Sequence, residues 1–421
     1  MSISNSWVSP LCALVLLGQS LSLCAKELPT AKPESVGMSS EKLAQVDKIV
    51  EDLIAKKRLA GAQVAVTRKG KIVYNKTFGK MDIEADKAMR EDAIIRIYSM
   101  SKSITSAAAL MLYEEGKIGL DDPVSKYIPE FKDIKIWSES GLQPVKREPT
   151  VRDLMRHTSG LTYGGVGNGE ADKAFKAANL FDRNQTLEQF GVKIAKLPLK
   201  FEPGTQWLYS FGTDVLGRVV EVASGKPLAV FFQERIFTPL DMKDTGFHVP
   251  AEKLDRFMTA YNSDGKGTLK TNDVPATSNY RLKPNFSSGG GGLVSTTRDY
   301  LRFLQMIANG GELHGKRLLK KKTVDLMTHN EVPEEAMPIR FGNELRHGIG
   351  FGLGFNVRTA ASDKWDAAAP VGEWGWGGMA STHYWASPKD ELVVVTMEQT
   401  IPYSFMLEWA LKKPIYDAII K

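Results

Sequence analysis

Ser99-Met100-Ser101-Lys102 sets a hydroxyl three residues ahead of an amine. Residues i and i+3 share one face of a helix, so these two side chains would point the same way. A serine hydroxyl is a weak nucleophile until a base removes its proton. A desolvated lysine can be that base, because burial disfavours the ammonium form. A helix starting here would add partial positive charge, which favours a developing oxyanion. The chemistry these residue types suggest is acyl transfer through a serine ester.

The spacing needs its context, because S-x-x-K occurs three times: Ser39/Lys42, Ser99/Lys102 and Ser263/Lys266. Ser39 precedes Glu41, Leu43, Val46, Val50 and Leu53, which reads as a helix N-cap. Ser263-Asp264-Gly265-Lys266 reads as a polar turn. Only Ser99 follows an apolar run, residues 93–98, and precedes an apolar helical pattern, residues 103–112.

Two other stretches could join this chemistry. In Phe201-Glu202-Pro203-Gly204-Thr205-Gln206-Trp207-Leu208-Tyr209-Ser210, a Pro-Gly turn delivers Trp207 and Tyr209 to the start of a helical pattern. A tyrosine near a lysine and a helix N-terminus could act as a base; the alternative is a packed aromatic pair. In Glu373-Trp374-Gly375-Trp376-Gly377-Gly378-Met379-Ala380, glycines in a strand mark close approach by a backbone or a ligand. Such a strand could aim an N–H at a carbonyl oxygen, or it could be a Gly-rich edge. Other chemistries lack their residues. There is no G-x-S-x-G and no H-E-x-x-H, and Gly310 to Arg317 has Arg317 where a P-loop needs Ser or Thr. The six histidines never fall at metal-ligand spacing, so no metal is expected, and a serine nucleophile with a lysine base requires no organic cofactor.

The elements that must hold these residues follow from pattern. Residues 39–56 predict an amphipathic helix, and 63–67 with 72–75 a hairpin around Arg68-Lys69-Gly70-Lys71. Helical patterns dominate from about 103 to 240. Strands return at 350–358, 383–386 and 392–397, the last two joined by Ser387-Pro388-Lys389-Asp390, and a helix is expected over 404–420. Strands at both ends imply one sheet completed by both termini, with a helical part inserted between.

Composition fits this picture. The chain has 421 residues, 43% hydrophobic and 25% charged, with a net charge of +6. The basic residues are spread out, and the cluster at Lys316, Arg317, Lys320, Lys321 and Lys322 reads as a solvated helix start, so no nucleic-acid partner is expected. Residues 1–25, with an apolar run over 8–25, look like a secretory signal, which implies an exported protein, periplasmic or secreted. Leu21-Ser22-Leu23-Cys24 leaves a lipoprotein possible. Cys12 and Cys24 both lie in this leader, so a mature chain from near Lys26 would carry no disulfide, and no membrane span is expected after it.

Taken together, these elements resemble the serine β-lactamase and penicillin-binding-protein superfamily, in its class C branch, and most closely the family VIII carboxylesterases and related acyltransferases. Ser99 to Lys102 resembles the S-x-[ST]-K element. Leu154 to Leu161 resembles the "LLxHTSGL" stretch, and Glu202 to Tyr209 the segment ending in the second-motif tyrosine. Ser288 to Leu293 resembles the Gly-rich turn. Trp376-Gly377-Gly378 stands where the lactamases carry K-T-G. The likeness runs over about residues 33–415. It implies an α+β fold: an antiparallel sheet flanked by terminal helices (about 33–98 and 340–421) plus an inserted, mainly helical domain (about 99–339). It implies Ser99 as nucleophile, with Lys102 and Tyr209 sharing the base role. The amides of Ser99 and Met379 would form the oxyanion hole, and Trp376, Gly377, Gly378, Phe211 and Tyr163 the substrate pocket. Phe211 replaces an asparagine and Trp376 a lysine of the lactamases. Both changes make the pocket less polar, so neutral esters are the expected substrates. A β-lactamase or D-alanyl-D-alanine carboxypeptidase, an acyltransferase, and a non-catalytic module that binds cell-wall fragments stay open as alternatives.

Overall fold

The computed structural model describes residues 27–165 and 167–420. Residues 1–26, which hold Cys12, Cys24 and the expected leader, lie outside the described residues. Among the described residues the largest sheet has eight strands, all paired antiparallel. Its order runs Ile349–Phe351, Asn356–Arg358, Trp374–Gly378, Thr382–Ser387, Leu392–Met397, Gly61–Arg68, Lys71–Asp82, Lys87–Ala88. Leu392–Met397 pairs with Gly61–Arg68, so the two ends of the chain close one sheet.

Side chains alternate across a strand, and this sheet buries both faces. Val64, Val66, Trp385 and Val394 pack with Leu43, Val46, Leu407 and Leu411, from the helices Ser40–Ala55 and Met406–Asp417. Tyr384, Val393 and Val395 enter the other core with Ile104, Tyr300 and Leu304. Each such aliphatic side chain contributes about 1.5–3 kcal/mol relative to exposure. That second core holds the helix Ser101–Glu114, in which every residue from Ser101 to Leu112 is buried. A helix buried on every side has no solvent face, which fits a central position, and its polar Ser101, Ser103 and Thr105 are hydrogen-bonded to neighbouring segments. The helices Gly212–Ser224 and Thr297–Ala308 belong to the same layer. The stretch 99–339 also holds short hairpins, Lys135–Ser138 with Gly141–Pro144 and Ala260–Ser263 with Leu269–Asp273.

The two spare S-x-x-K serines have local jobs. Ser39 caps its helix, its Oγ accepting from the Lys42 N–H at 3.2 Å. Ser263 lies at the turn of a hairpin, its Oγ accepting from the Gly265 N–H at 3.1 Å. Elsewhere the pattern needed adjusting. The strand expected over 350–358 is a hairpin, because Gly354 turns the chain with φ +118°. The central helix starts at Ser101 rather than 103. The glycine-rich 374–378 stretch is an interior strand, not an edge.

Glu398, just past Leu392–Met397, is 1% exposed, and its Oε2 has no partner among the described residues. Burial pushes its pKa up to about 8, against a slight opposing pull from Thr400. A carboxyl whose folded pKa is raised favours folding below its ordinary pKa, near 4.5, and loses that advantage as pH rises through about 8. The Tm of the protein is therefore expected to fall between about pH 5 and 9, and Glu398→Gln to flatten that decline. Parallel Tm curves for the two proteins in scanning calorimetry would contradict this.

Candidate active site

The short pair Ile95–Arg96 with Val294–Ser295 anchors the chain before Ser99. A 3-10 turn, Tyr98–Met100, then leads into the central helix. Tyr98 has φ +42°, a left-handed conformation rarely adopted by a bulky residue, and it carries the strain of the sharp entry. The turn presents Ser99 to a cavity while Lys102, 1% exposed, points in from behind it. Lys102 Nζ lies 3.4 Å from Ser99 Oγ and 3.1 Å from the Tyr163 hydroxyl, and it donates to the Gly290 carbonyl at 2.5 Å. The two side chains meet as the i, i+3 spacing expects.

Tyr209 joins them from outside the helix layer. The 157–160 stretch acts as its rail: the Leu208 N–H donates to the His157 carbonyl at 2.9 Å, and the Gly204 N–H to Thr158 at 2.8 Å. Gly160, at φ +83°, is where the rail turns, and a Cβ there would lie 2.5 Å from the Phe201 carbonyl oxygen. The Tyr209 ring packs on His157, Phe341 and Trp376 at 4.8, 5.1 and 5.3 Å between centroids. Lys102 Nζ lies 4.6 Å from the ring centre, and the Tyr209 hydroxyl is buried without a hydrogen-bond partner among the described residues. Burial, aided by Lys102, holds His157 well below its ordinary pKa, so it is a neutral packing partner. No histidine lines the cavity among the described residues. Burial keeps the Tyr163 phenol protonated, with Asp214 and Tyr209 adding to the effect.

Asp214 is a site residue that sequence reasoning missed. It lies in the first turn of Gly212–Ser224, is 1% exposed, and borders the cavity. Its Oδ1 accepts from the Ser288 hydroxyl at 2.5 Å and from the Gly290 N–H at 3.0 Å. The same Gly290 peptide offers its carbonyl to Lys102, so Asp214 holds the acceptor that holds the lysine. Burial raises the Asp214 carboxyl above the usual range, against the pull of Lys102. An acid in a first helical turn usually reads as a favourable dipole contact, which hid this role.

The cavity encloses about 580 Å³. Tyr163, Trp376, Gly377, Gly378 and Met379 border it. Phe211 does not. It is 1% exposed and stands one layer back, 4.4 Å from the Tyr163 ring and 4.8 Å from that of Phe181, because the chain turns inward as it enters the helix at Gly212. Phe211 therefore supports the wall without forming it. Arg346, which no local pattern singles out, borders the cavity beside Trp376, with its guanidinium 5.8 Å from that ring. The replacement of lysine at 376 thus does not leave the pocket without a cation. Among the described residues no group of His, Cys, Asp and Glu could hold a metal ion, and no helix is long and apolar enough to cross a membrane.

Met379 follows directly on the Trp374–Gly378 strand, which runs against the Ser99 turn. A Cβ on Gly378 would lie 2.4 Å from the Ile97 carbonyl oxygen and 2.5 Å from Thr382 Oγ1. Gly378→Ala is thus expected to push the strand off the turn and separate the Met379 and Ser99 amides. Were these the two oxyanion donors that the resemblance implies, loss of one would cost about 10²–10³-fold in kcat, and this variant is expected in that range, measured with p-nitrophenyl butyrate. Activity near that of the unaltered protein would remove the Met379 amide from the site.

A family model described as Beta-lactamase matches residues 46–404. The chain is 33% identical over 352 residues to an uncharacterized protein of Mycobacterium tuberculosis, spanning 82% of this chain and 86% of that one. It is 32% identical over 361 residues to Esterase EstB of Burkholderia gladioli, spanning 81% of this chain and 86% of EstB. Among solved structures, EstCE1, described as a hydrolase with promiscuous acyltransferase activity, matches with a TM-score of 0.76 at 27% identity, over 89% of this chain and 99% of that one. A serine and a buried lysine on one helical face, a facing tyrosine and a family match over most of the chain agree: this protein belongs to the β-lactamase family.

Proposed function

We propose that this chain is a serine hydrolase that cleaves carboxylic esters through an acyl-enzyme on Ser99. The observation that carries the reading is Lys102 Nζ at 3.4 Å from Ser99 Oγ, in a cavity that no histidine lines among the described residues. Ser99 Oγ attacks the ester carbonyl carbon, and its proton passes to Lys102 Nζ. The Gly290 carbonyl and the Tyr163 hydroxyl fix the lysine's direction. The amides of Ser99 and Met379 receive the developing oxyanion. The intermediate collapses as the C–O bond to the alcohol breaks. The leaving oxygen takes that proton from Lys102 Nζ, with the Tyr209 ring 4.6 Å from the nitrogen and sharing the acid–base role. Water then attacks the acyl-enzyme carbonyl, and the same groups return Ser99 to its hydroxyl form.

Esterase EstB, similar over most of both chains, supports an ester substrate. The test is a panel of p-nitrophenyl esters from acetate to octanoate, run beside a chromogenic cephalosporin. Turnover of the short esters is expected, with kcat/KM for the butyrate above that for the cephalosporin. The reverse order would make the protein a β-lactamase. Acyl transfer is a second reading, favoured by the likeness to EstCE1. An added alcohol acceptor that diverts product from acid to ester would support it. The leader at 1–25 supports export, with the mature protein in the periplasm or medium. N-terminal sequencing of the native protein tests this, and a start near Lys26 is expected.

A further inference from the structure

Arg346 lies between the short strands Glu344–Leu345 and Ile349–Phe351 and borders the same cavity as Ser99. It is 3% exposed. Its guanidinium sits among rings, 4.5 Å from the centre of Phe341, 5.0 Å from Trp365 and 5.3 Å from Phe405. Aromatic faces attract a cation by about 0.5–2 kcal/mol, but they supply no hydrogen-bond acceptor for a guanidinium's five N–H donors. Its Nε is buried without a partner among the described residues. The acidic groups whose fields reach it, Tyr403, Glu344, Glu408 and Tyr209, form no hydrogen bond or ion pair with it among the described residues. Glu408 is held instead by Lys412, at 2.9 Å. A buried, unpaired cation is costly, and it is rarely kept unless something compensates it.

The rest of the cavity gives the same sign. Its charged lining is Arg183 and Arg346 against Asp214. Asp214 is occupied by Ser288 and the Gly290 N–H, and Arg183 by the carbonyls of Asn279 and Leu282 at 3.1 and 3.2 Å. Arg346 alone among these three has no polar partner within the described residues. Burial also pulls the guanidinium below its ordinary pKa, as expected of a cation short of counter-charge.

We propose that Arg346 is a carboxylate-binding residue of this cavity, so that the preferred substrates are esters carrying a free carboxylate besides the ester carbonyl. The inference rests on the reading that this cavity is the ester site, and it names the substrate class of that site. An arriving carboxylate can accept two parallel N–H bonds from the guanidinium and restore its compensation. A neutral substrate would desolvate the same cation further and give nothing back. This reverses the expectation drawn from Trp376, since the lost lysine charge is resupplied from another part of the chain.

The test reads binding on Ser99→Ala protein by calorimetry. Three amides are compared: butyranilide, which is neutral; succinanilic acid, with the carboxylate on the acyl side; and 4-butyramidobenzoate, with it on the other side. At least one of the acids is expected to bind about 10- to 100-fold tighter than butyranilide, the range of a charged hydrogen-bonded contact. Which acid does so tells where the carboxylate lies relative to the scissile bond. In Ser99→Ala/Arg346→Met the advantage is expected to vanish. In Ser99→Ala/Arg346→Lys it is expected to survive in part, because a lysine keeps the charge but not the fork. Should the methionine variant fail to fold, the lysine variant decides by its reduced advantage. Equal affinity for all three amides, or an advantage unchanged in the Arg346 variants, overturns the proposal. Binding does not require the Ser99 hydroxyl. Full turnover by Ser99→Ala would overturn the nucleophile reading and leave this comparison standing.

Discussion

Ser99→Ala is expected to lower kcat/KM for p-nitrophenyl butyrate by about 10⁴- to 10⁶-fold, as loss of a nucleophile does in other serine hydrolases. The structure explains why nothing nearby can substitute. Ser288, the other serine bordering the cavity, donates its hydroxyl to Asp214 at 2.5 Å rather than facing an amine. The tyrosines bordering the cavity have no lysine nitrogen at hydrogen-bond distance except Tyr163, whose phenol burial holds in the protonated form. Ser99 sits in a turn open to the cavity, and loss of its hydroxyl still leaves the buried Lys102 Nζ its Gly290 and Tyr163 partners. Circular dichroism and Tm are expected to match those of the unaltered protein. Substantial hydrolysis by a folded Ser99→Ala protein would move the nucleophile elsewhere.

The second large effect concerns Lys102 and Tyr209. Each single loss, Lys102→Ala or Tyr209→Phe, is expected to slow kcat by about 10²–10⁴-fold, the usual range for a positioned general acid or base. The two serve one proton transfer at Ser99: Lys102 Nζ lies 4.6 Å from the centre of the Tyr209 ring, and the pair share the acid–base role. Groups that act as a unit are not additive, so the double variant is expected to be about as slow as the slower single one. Lys102→Ala also strips the Gly290 carbonyl of its partner, and an orphaned buried acceptor costs about 1–3 kcal/mol, so its Tm is expected to fall. Tyr209→Phe should fold normally, since the hydroxyl it removes has no hydrogen-bond partner among the described residues. This makes it the cleaner probe: near-full activity would reduce Tyr209 to a packing residue.

What could be read from the sequence follows a physical line. Ser99, Lys102, the hairpin at Lys69-Gly70 and the Ser39 cap were legible because each depends on neighbours within a few residues. Lys69 and Gly70 both take positive φ, 50° and 70°, the backbone of a tight two-residue turn. The sheet closed by both termini was legible from the strands returning near the C-terminus. Asp214 and Arg346 were not legible. Asp214 acts through Gly290, which is 76 residues away. Arg346 acquires its significance only when Phe341, Trp365 and Phe405 fold around it. Phe211 misled because it stands where the lactamases carry an asparagine, two residues after the motif tyrosine, whereas the turn into Gly212 faces it toward Phe181 and Phe190. Side-chain direction at the entry to a helix depends on what the helix packs against, and no local spacing carries that information.

The central claim is a covalent acyl group on Ser99, and trapping that group tests it most directly. The protein would be mixed with a slowly turned-over aryl ester, quenched in acid within the steady state, and its mass measured intact and after digestion. A mass increase equal to the acyl group is expected, carried by the peptide holding Ser99 and by neither the Ser39 nor the Ser263 peptide, and absent from Ser99→Ala. A fluorophosphonate should mark the same residue. An adduct on another residue, or one that persists in Ser99→Ala, would contradict the account.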